Sequence, residues 1–289
     1  MAEAVHLIRE HPALRWRDGD CRRETDHLAV EEPLEIRLGG RRFTLTMRTP
    51  GHDNELAAGF LLAEGFVNTA ADLGEIRQVR DGKGAPEANA IDVILNVPAQ
   101  GLRERLRRNF IVSSSCGVCG KASIEALRRR LEPLSSGPQV SGHALLAMAP
   151  AMRAAQEVFS ATGGLHAAAL FTHQDQSETE LAAAPSVTEF KLEVLREDVG
   201  RHNAVDKVAG YALVHGMVPA RNCALMVSGR LSFEIVQKAA AAGMPILCAV
   251  SAPSSLAVEL AEEVGMTLVG FLREANFNIY TGAQRIILK

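Results

Sequence analysis

The stretch Cys223-Ala224-Leu225-Met226-Val227-Ser228-Gly229-Arg230-Leu231-Ser232-Phe233-Glu234-Ile235-Val236-Gln237-Lys238-Ala239-Ala240-Ala241-Ala242-Gly243-Met244-Pro245-Ile246-Leu247-Cys248-Ala249-Val250 decides the fold. A short apolar run, Cys223 to Val227, breaks at Ser228-Gly229-Arg230. A helical segment, Phe233 to Ala242, follows and stops at Gly243, and Pro245 opens a second apolar run to Val250. Strand, tight turn, helix and strand in this order form the repeating unit of a layered α/β domain. Ser251 to Ser254 then leads into a helix over Ser255–Val264, closed by Gly265, and a strand over Met266–Leu272. Upstream, His166–Thr172 and Lys191–Leu195 read as strands and Ala204–Val214 as a helix. The pattern predicts a largely parallel sheet covered by helices.

The first third is mixed α+β. Leu34, Ile36 and Leu38 alternate with charged residues, Gly39-Gly40 supplies a two-residue turn, and Phe43, Leu45 and Met47 continue the alternation on the return strand. A helix is expected over Asp53–Ala63 and a strand over Ala90–Val97. Residues 133–142 hold Pro133, Ser135, Ser136, Gly137, Pro138, Ser141 and Gly142, a turn-rich composition that reads as a linker. The expected division is a smaller N-terminal domain over 1–135 and an α/β domain over 136–289.

Composition excludes several classes. Of 289 residues, 47% are hydrophobic and 22% charged, enough to build a core in a soluble protein. Aromatic residues are 4% and the net charge is −3, which argues against nucleic acid as a partner. No apolar run is long enough to span a membrane, and charges at Glu3, Arg9, Glu10, Arg15 and Arg17 interrupt any secretory signal. A cytoplasmic protein is expected.

Five cysteines are too few for a disulfide scaffold. Cys116 and Cys119 stand apart, in Ser113-Ser114-Ser115-Cys116-Gly117-Val118-Cys119-Gly120. Such a pair can ligate a metal, form a reversible disulfide or carry sulfur as a persulfide, and all three require thiolate. Residues 101–130 hold eight basic and two acidic side chains, and a helix marked by Ile124, Leu127 and Leu131 begins just after Cys119. Cations and a helix N-terminus both lower a thiol pKa. An incidental buried pair is the plain alternative, but the Ser- and Gly-rich surroundings do not resemble core. Zinc is poorly supported, because no second C-x-x-C exists and no histidine is followed two residues later by Glu. No metal is expected.

Further candidates fall where strands meet helices. Glu197 to Lys207 is dense in charge; Arg201, His202 and Lys207 could hold an anion or steer proton transfer, with Asp198 and Asp206 orienting them. A capped, solvated helix start is the plain reading of the same residues. Ser228-Gly229-Arg230 and Ser251-Ala252-Pro253-Ser254-Ser255 occupy strand-to-helix turns whose backbone N–H groups suit phosphate. Thr162-Gly163-Gly164-Leu165-His166 is a Gly-rich turn into a strand, with His166 either structural or functional.

Taken in order, these strings, with Ser232, Glu234, Phe271-Leu272-Arg273 and Asn278-Ile279-Tyr280, resemble the formate dehydrogenase accessory family, the FdhD/NarQ sulfurtransferases. The resemblance runs from the N-terminal hairpin to the last strand. It implies a sulfurtransferase that takes sulfane sulfur from a cysteine desulfurase. The sulfur would pass to the bis-(molybdopterin guanine dinucleotide) molybdenum cofactor required by formate dehydrogenase. It implies a cytidine-deaminase-like C-terminal domain without zinc, and a homodimer. By the motif, Cys116 matches the persulfide-carrying cysteine and Cys119 its companion. Phe271, Leu272, Arg273, Glu274, Ala275 and Asn276 match the cofactor-contacting segment, and Ser228, Gly229, Arg230, Arg201, His202 and Lys207 join it as candidates. A thiol/disulfide redox protein and a cofactor chaperone that moves no sulfur are the competing readings.

Overall fold

A computed structural model describes residues 7–96, 128, 130–134, 136–174, 189–273 and 275–288. The chain opens on an antiparallel ribbon, β1 (Ile8–Arg17) and β2 (Asp20–Ala29), turned at Asp18-Gly19. Next come β3 (Glu32–Leu38), β4 (Arg41–Arg48), α1 (Asp53–Ala63), β5 (Leu73–Arg80) and β6 (Pro86–Leu95). These strands form one sheet in the order β4-β3-β6-β5. After β7 (Val140–Ser141) follow α2 (Gly142–Ala155), α3 (Glu157–Thr162), β8 (His166–His173), β9 (Phe190–Asp198) and α4 (Arg201–Val214). The chain continues through β10 (Cys223–Val227), α5 (Phe233–Ala241), β11 (Ile246–Ala249), α6 (Ser255–Val264), β12 (Thr267–Gly270), β13 (Asn278–Thr281) and β14 (Ile286–Ile287).

The larger sheet runs β13-β12-β11-β10-β8-β9. Only β10, β11 and β12 pair in parallel; β8, β9 and β13 join antiparallel. The sheet is therefore mixed rather than largely parallel. For β13 the cause is plain: the connection over 271–277 is too short for a crossover, which needs a dozen residues or more. Alternation along β10 splits the core between the faces. Cys223, Leu225 and Val227 face α4, α5 and α6, while Ala224 and Met226 face α2.

The hairpin forms at Gly39-Gly40, both at positive φ, which a two-residue turn requires. Unbroken, that turn would set Ile36 opposite Phe43 and Leu34 opposite Leu45. A bulge at Phe43 shifts the register by one, pairing Ile36 with Thr44 and Leu34 with Thr46. A one-residue shift exchanges the faces of a strand. Leu45 and Met47 consequently point outward, 51% and 47% exposed, while Phe43 packs edge-on against Phe60 and Phe66.

The segment read as a linker is tied down. Leu134 is buried, its N–H donates to the Val264 carbonyl (2.7 Å), and its carbonyl accepts from Arg285. Gly137 lies so close to Pro245 that a methyl there would sit 2.8 Å from the ring.

One hydrophobic cluster joins Leu34, Ile36 and Leu56 of the N-terminal part to Leu225 of the large sheet, Val208 of α4 and Val236 of α5. Its centre is the crossing of α1 over α4 at Gly59 and Gly210. A methyl on Gly210 would overlap the Glu55 carbonyl oxygen, and one on Gly59 would overlap that of Asp206. Beside the crossing, Arg196 of β9 grips Glu55 of α1 through two bonds of 2.6 and 2.8 Å. Burial pushes the Glu55 carboxyl up, but Arg196 and His52 outweigh it and hold it at about 2.

Gly210→Ala should force the helices apart and lower stability by about 3 kcal/mol or more in chemical denaturation followed by circular dichroism. Glu55 ionises below its unfolded value of 4.5, so its contribution is complete above that pH and is lost as pH falls toward 2. Arg196→Leu should remove on the order of 3 kcal/mol at neutral pH. It should also flatten the stability profile between those values.

Candidate functional site

Strand direction gathers the candidate residues. β9, β10, β11 and β12 all end at one edge of the large sheet, and antiparallel β8 and β13 begin there. The carboxyl edge of such a sheet is where α/β proteins hold ligands. Backbone bonds make this edge continuous. Ser228 N donates to the Ala167 carbonyl, and Leu231 N to that of Ala252. Ser254 N donates to the Leu231 carbonyl, and Phe271 N to that of Ser251. The turns at 166, 198–202, 228–231, 251–254 and 271–276, far apart in sequence, thus share one rim.

Asp198, at the end of β9, organises the turn into α4. It is fully buried, and its Oδ1 accepts from Gly200 N (2.8 Å) and Asn203 Nδ2 (3.0 Å). Its Oδ2 meets Lys207 Nζ at 2.7 Å and accepts from Thr49 N at 3.2 Å. Lys207 also donates to the Thr49 carbonyl at 2.8 Å. Lys207 is 1% exposed, so its charge is turned inward to Asp198 and is not presented at the rim, contrary to the expectation from sequence. Its place one helical turn and a half beyond Arg201 puts it on the core face of α4. Asp206 is likewise buried, paired with Lys238 at 2.8 and 2.9 Å. Burial pushes its carboxyl up to about 7 against the pull of Lys238. Neither aspartate touches Arg201 or His202 in the manner anticipated.

The residues that do reach the rim include arginines and histidines. Arg201 is partly buried, and its Cδ and the His166 ring both approach Gly229, where a side chain would stand 3.6 to 3.9 Å from them. Burial first, then the positive charge of Arg201, holds the His166 imidazole below its ordinary range. His202 Nε2 lies 3.5 Å from Ser232 Oγ and 3.5 Å from Glu234 Oε2. Burial likewise lowers His202, with Glu234 pulling it back up. Arg230 and Arg273 are exposed. Among the described residues neither has an ion-pair partner. Ser232 and Ser254 cap α5 and α6, their hydroxyls accepting from Ile235 N and Ala257 N. Ser228 is more structural than the turn suggested, because its hydroxyl already accepts from Ala167 N at 2.9 Å.

In the 271–276 segment, Phe271 takes positive φ and is exposed, and Ala275 and Asn276 are exposed with it. Leu272 is fully buried in the α2-side core, so its side chain anchors the loop and does not face a ligand. Glu274, Cys116 and Cys119 lie outside the described residues. The remaining cysteines of the sheet are core: burial pushes the Cys248 thiol up to about 12 and raises that of Cys223. Sequence reading missed Thr49, the link from β4 to the site. It also missed the Lys238–Asp206 pair, in which Lys238 has Glu234 as its i,i+4 neighbour.

A family model described as FdhD/NarQ matches residues 29–287. The chain belongs to the FdhD/NarQ family. Curated family members named sulfur carrier protein FdhD are close in sequence. That of Mycolicibacterium paratuberculosis is 53% identical over 264 residues, covering 90% of this chain and 91% of its own. That of Saccharolobus solfataricus is 43% identical over 282 residues, covering 96% and 98%. A crystal structure described as a putative formate dehydrogenase accessory protein of Desulfotalea psychrophila superposes with a TM-score of 0.71 at 25% identity. It covers 97% of this chain and all of the other. The α/β architecture is therefore that of a known family structure. Among the described residues no helix is long and apolar enough to cross a membrane, and no three potential ligands are grouped to hold a metal.

Lys207→Met leaves the Asp198 carboxylate buried without its counter-charge. We expect a loss of about 3–5 kcal/mol in denaturant unfolding. Lys207→Met combined with Asp198→Asn should recover part of it.

Proposed function

We propose that this protein is a sulfurtransferase serving formate dehydrogenase, with Cys116 as the sulfur-carrying residue. The observation that carries the reading is the family match over 29–287, which spans the Cys116–Cys119 pair and is shared with relatives named as sulfur carriers. In this reading the Cys116 thiolate attacks the terminal sulfur of a cysteine desulfurase persulfide. The donor S–S bond breaks, the donor leaves as thiolate, and Cys116 becomes a persulfide anion. The basic segment over 101–130 favours both anions.

The client is the bis-(molybdopterin guanine dinucleotide) molybdenum cofactor, a large polyanion and the substrate of the transfer. The sheet rim suits it chemically: Arg201, Arg230 and Arg273 offer charge, and the N-termini of α4, α5 and α6 offer backbone donors. Attack of Cys119 on the inner sulfur would release the terminal sulfur as hydrosulfide and leave a Cys116–Cys119 disulfide. The protein would act in the cytoplasm as a homodimer.

Incubating the purified chain with a cysteine desulfurase and cysteine should add one sulfur atom to the Cys116 peptide, read by mass spectrometry. Cys116→Ala should abolish both the adduct and formate dehydrogenase maturation while leaving the circular dichroism spectrum unchanged. Full maturation by Cys116→Ala would instead establish a chaperone that moves no sulfur. Equal loss in Cys116→Ala and Cys119→Ala with no sulfur adduct would establish a disulfide switch.

A further inference from the structure

Sulfur transfer leaves one group of titratable side chains unused. His202 stands at the rim, 30% exposed, with Nε2 3.5 Å from Glu234 Oε2. The other Glu234 oxygen lies 3.6 Å from Lys238 Nζ, and Lys238 is held at 2.8 and 2.9 Å by Asp206. A line of charge thus runs from the rim to the buried face of α4. The charged or titratable groups facing His202 are Arg201 from its own helix, His166 from β8, and Glu234 and Lys238 from α5.

Their balance decides the state of the ring. Asp206 is committed to Lys238 by direct contact, and Arg201 carries a permanent charge. Glu234 is the single carboxylate in contact with His202 among the described residues, and it is shared with Lys238. Burial and two nearby cations disfavour the imidazolium, so the free protein holds His202 neutral near pH 7. A multiply charged anion on the rim reverses this balance, because an opposite charge within about 4–6 Å favours the charged ring.

We propose that His202 takes up one proton from solvent when a diphosphate-bearing ligand binds at the rim, and contacts that ligand as imidazolium. The inference rests on the rim being the client-binding site. Glu234 is the positioning residue: it faces Nε2 and neutralises part of the charge formed on the ring. By reciprocity, a ligand that promotes protonation binds more tightly when the ring is protonated. The signs follow. Affinity is greatest below the His202 pKa of the free protein, falls as pH rises from there to the higher pKa of the bound state, and levels off above it. The loss is about tenfold per pH unit for one linked proton. The rim would thereby prefer phosphate esters carrying two or more charges over neutral or singly charged analogues of similar shape.

The test uses the full chain and guanosine diphosphate, which carries the guanine and diphosphate of the proposed client. Calorimetric titration at about pH 7.5, above the ordinary histidine range, in two buffers of different ionisation enthalpy counts the protons taken up. The expected result is close to one proton per ligand in the wild type and none in His202→Gln. His202→Gln should also bind about tenfold more weakly and lose the pH slope. Glu234→Asp should retain proton uptake, whereas Glu234→Gln should lower the His202 midpoint in the free protein. Binding without proton uptake in the wild type overturns the inference and leaves the rim as the client site. Undiminished uptake in His202→Gln overturns the assignment to His202. Failure of guanosine diphosphate to bind the wild type removes the rim reading and this inference together. Should His202→Gln fail to fold, NMR titration of the wild-type His202 ring decides. Its midpoint should lie below 6.5 and rise on adding guanosine diphosphate, and an unmoved midpoint refutes the proposal.

Discussion

The buried Asp198 carboxylate sets the geometry on which the rest of the rim depends. It ends β9, starts α4 and reaches across to Thr49 at the end of β4, using both oxygens on four donors. A buried charge is tolerable only when paired and hydrogen-bonded. Lys207 supplies the pairing, while the backbone of Thr49 and Gly200 and the Asn203 amide supply the bonds. That turn places Arg201 and His202 at the start of α4 beside the rim, and the N-terminal sheet is bound to the same point.

Two buried ion pairs flank α4, Asp198–Lys207 and Asp206–Lys238, and each uses its charges internally. The rim is different: Arg201, His202, His166, Arg230 and Arg273 cluster there with Glu234 as the nearby acid. Charges of one sign gathered at one edge add their potentials locally, whatever the net charge of the chain. A chain of net charge −3 can therefore carry a locally basic edge. This is why whole-chain charge, which argued against nucleic acid as a partner, could not locate the basic edge.

Much of the fold was legible. Apolar runs and Gly stops fixed β10 through α6 to within a residue or two, and Gly39-Gly40 fixed the hairpin. The Phe43 bulge was not legible, because alternation looks intact on paper while a single extra residue exchanges the faces. Helix α2 was obscured by Pro150 within it and by the turn-rich residues before it. Ribbon β1–β2 was missed because its residues are predominantly charged and exposed, leaving no alternation to read. At the site, the ordered strings marked the strand-to-helix turns that the fold brings to one sheet edge. They could not tell Arg201 at the rim from Lys207 in the core, since both are basic residues near the start of one helix. Only the direction each side chain takes from α4 separates them.

The ribbon carries a consequence for measurement. Trp16 is the one tryptophan in the chain, and it sits on β1 with 71% of its surface in solvent. Its emission already reports an aqueous environment in the native state. Melting of the α1–α4 crossing or the six-stranded sheet would change that emission little. Intrinsic fluorescence is thus a probe of the arm and of anything that covers it, while the stability of the core has to be followed through the backbone signal.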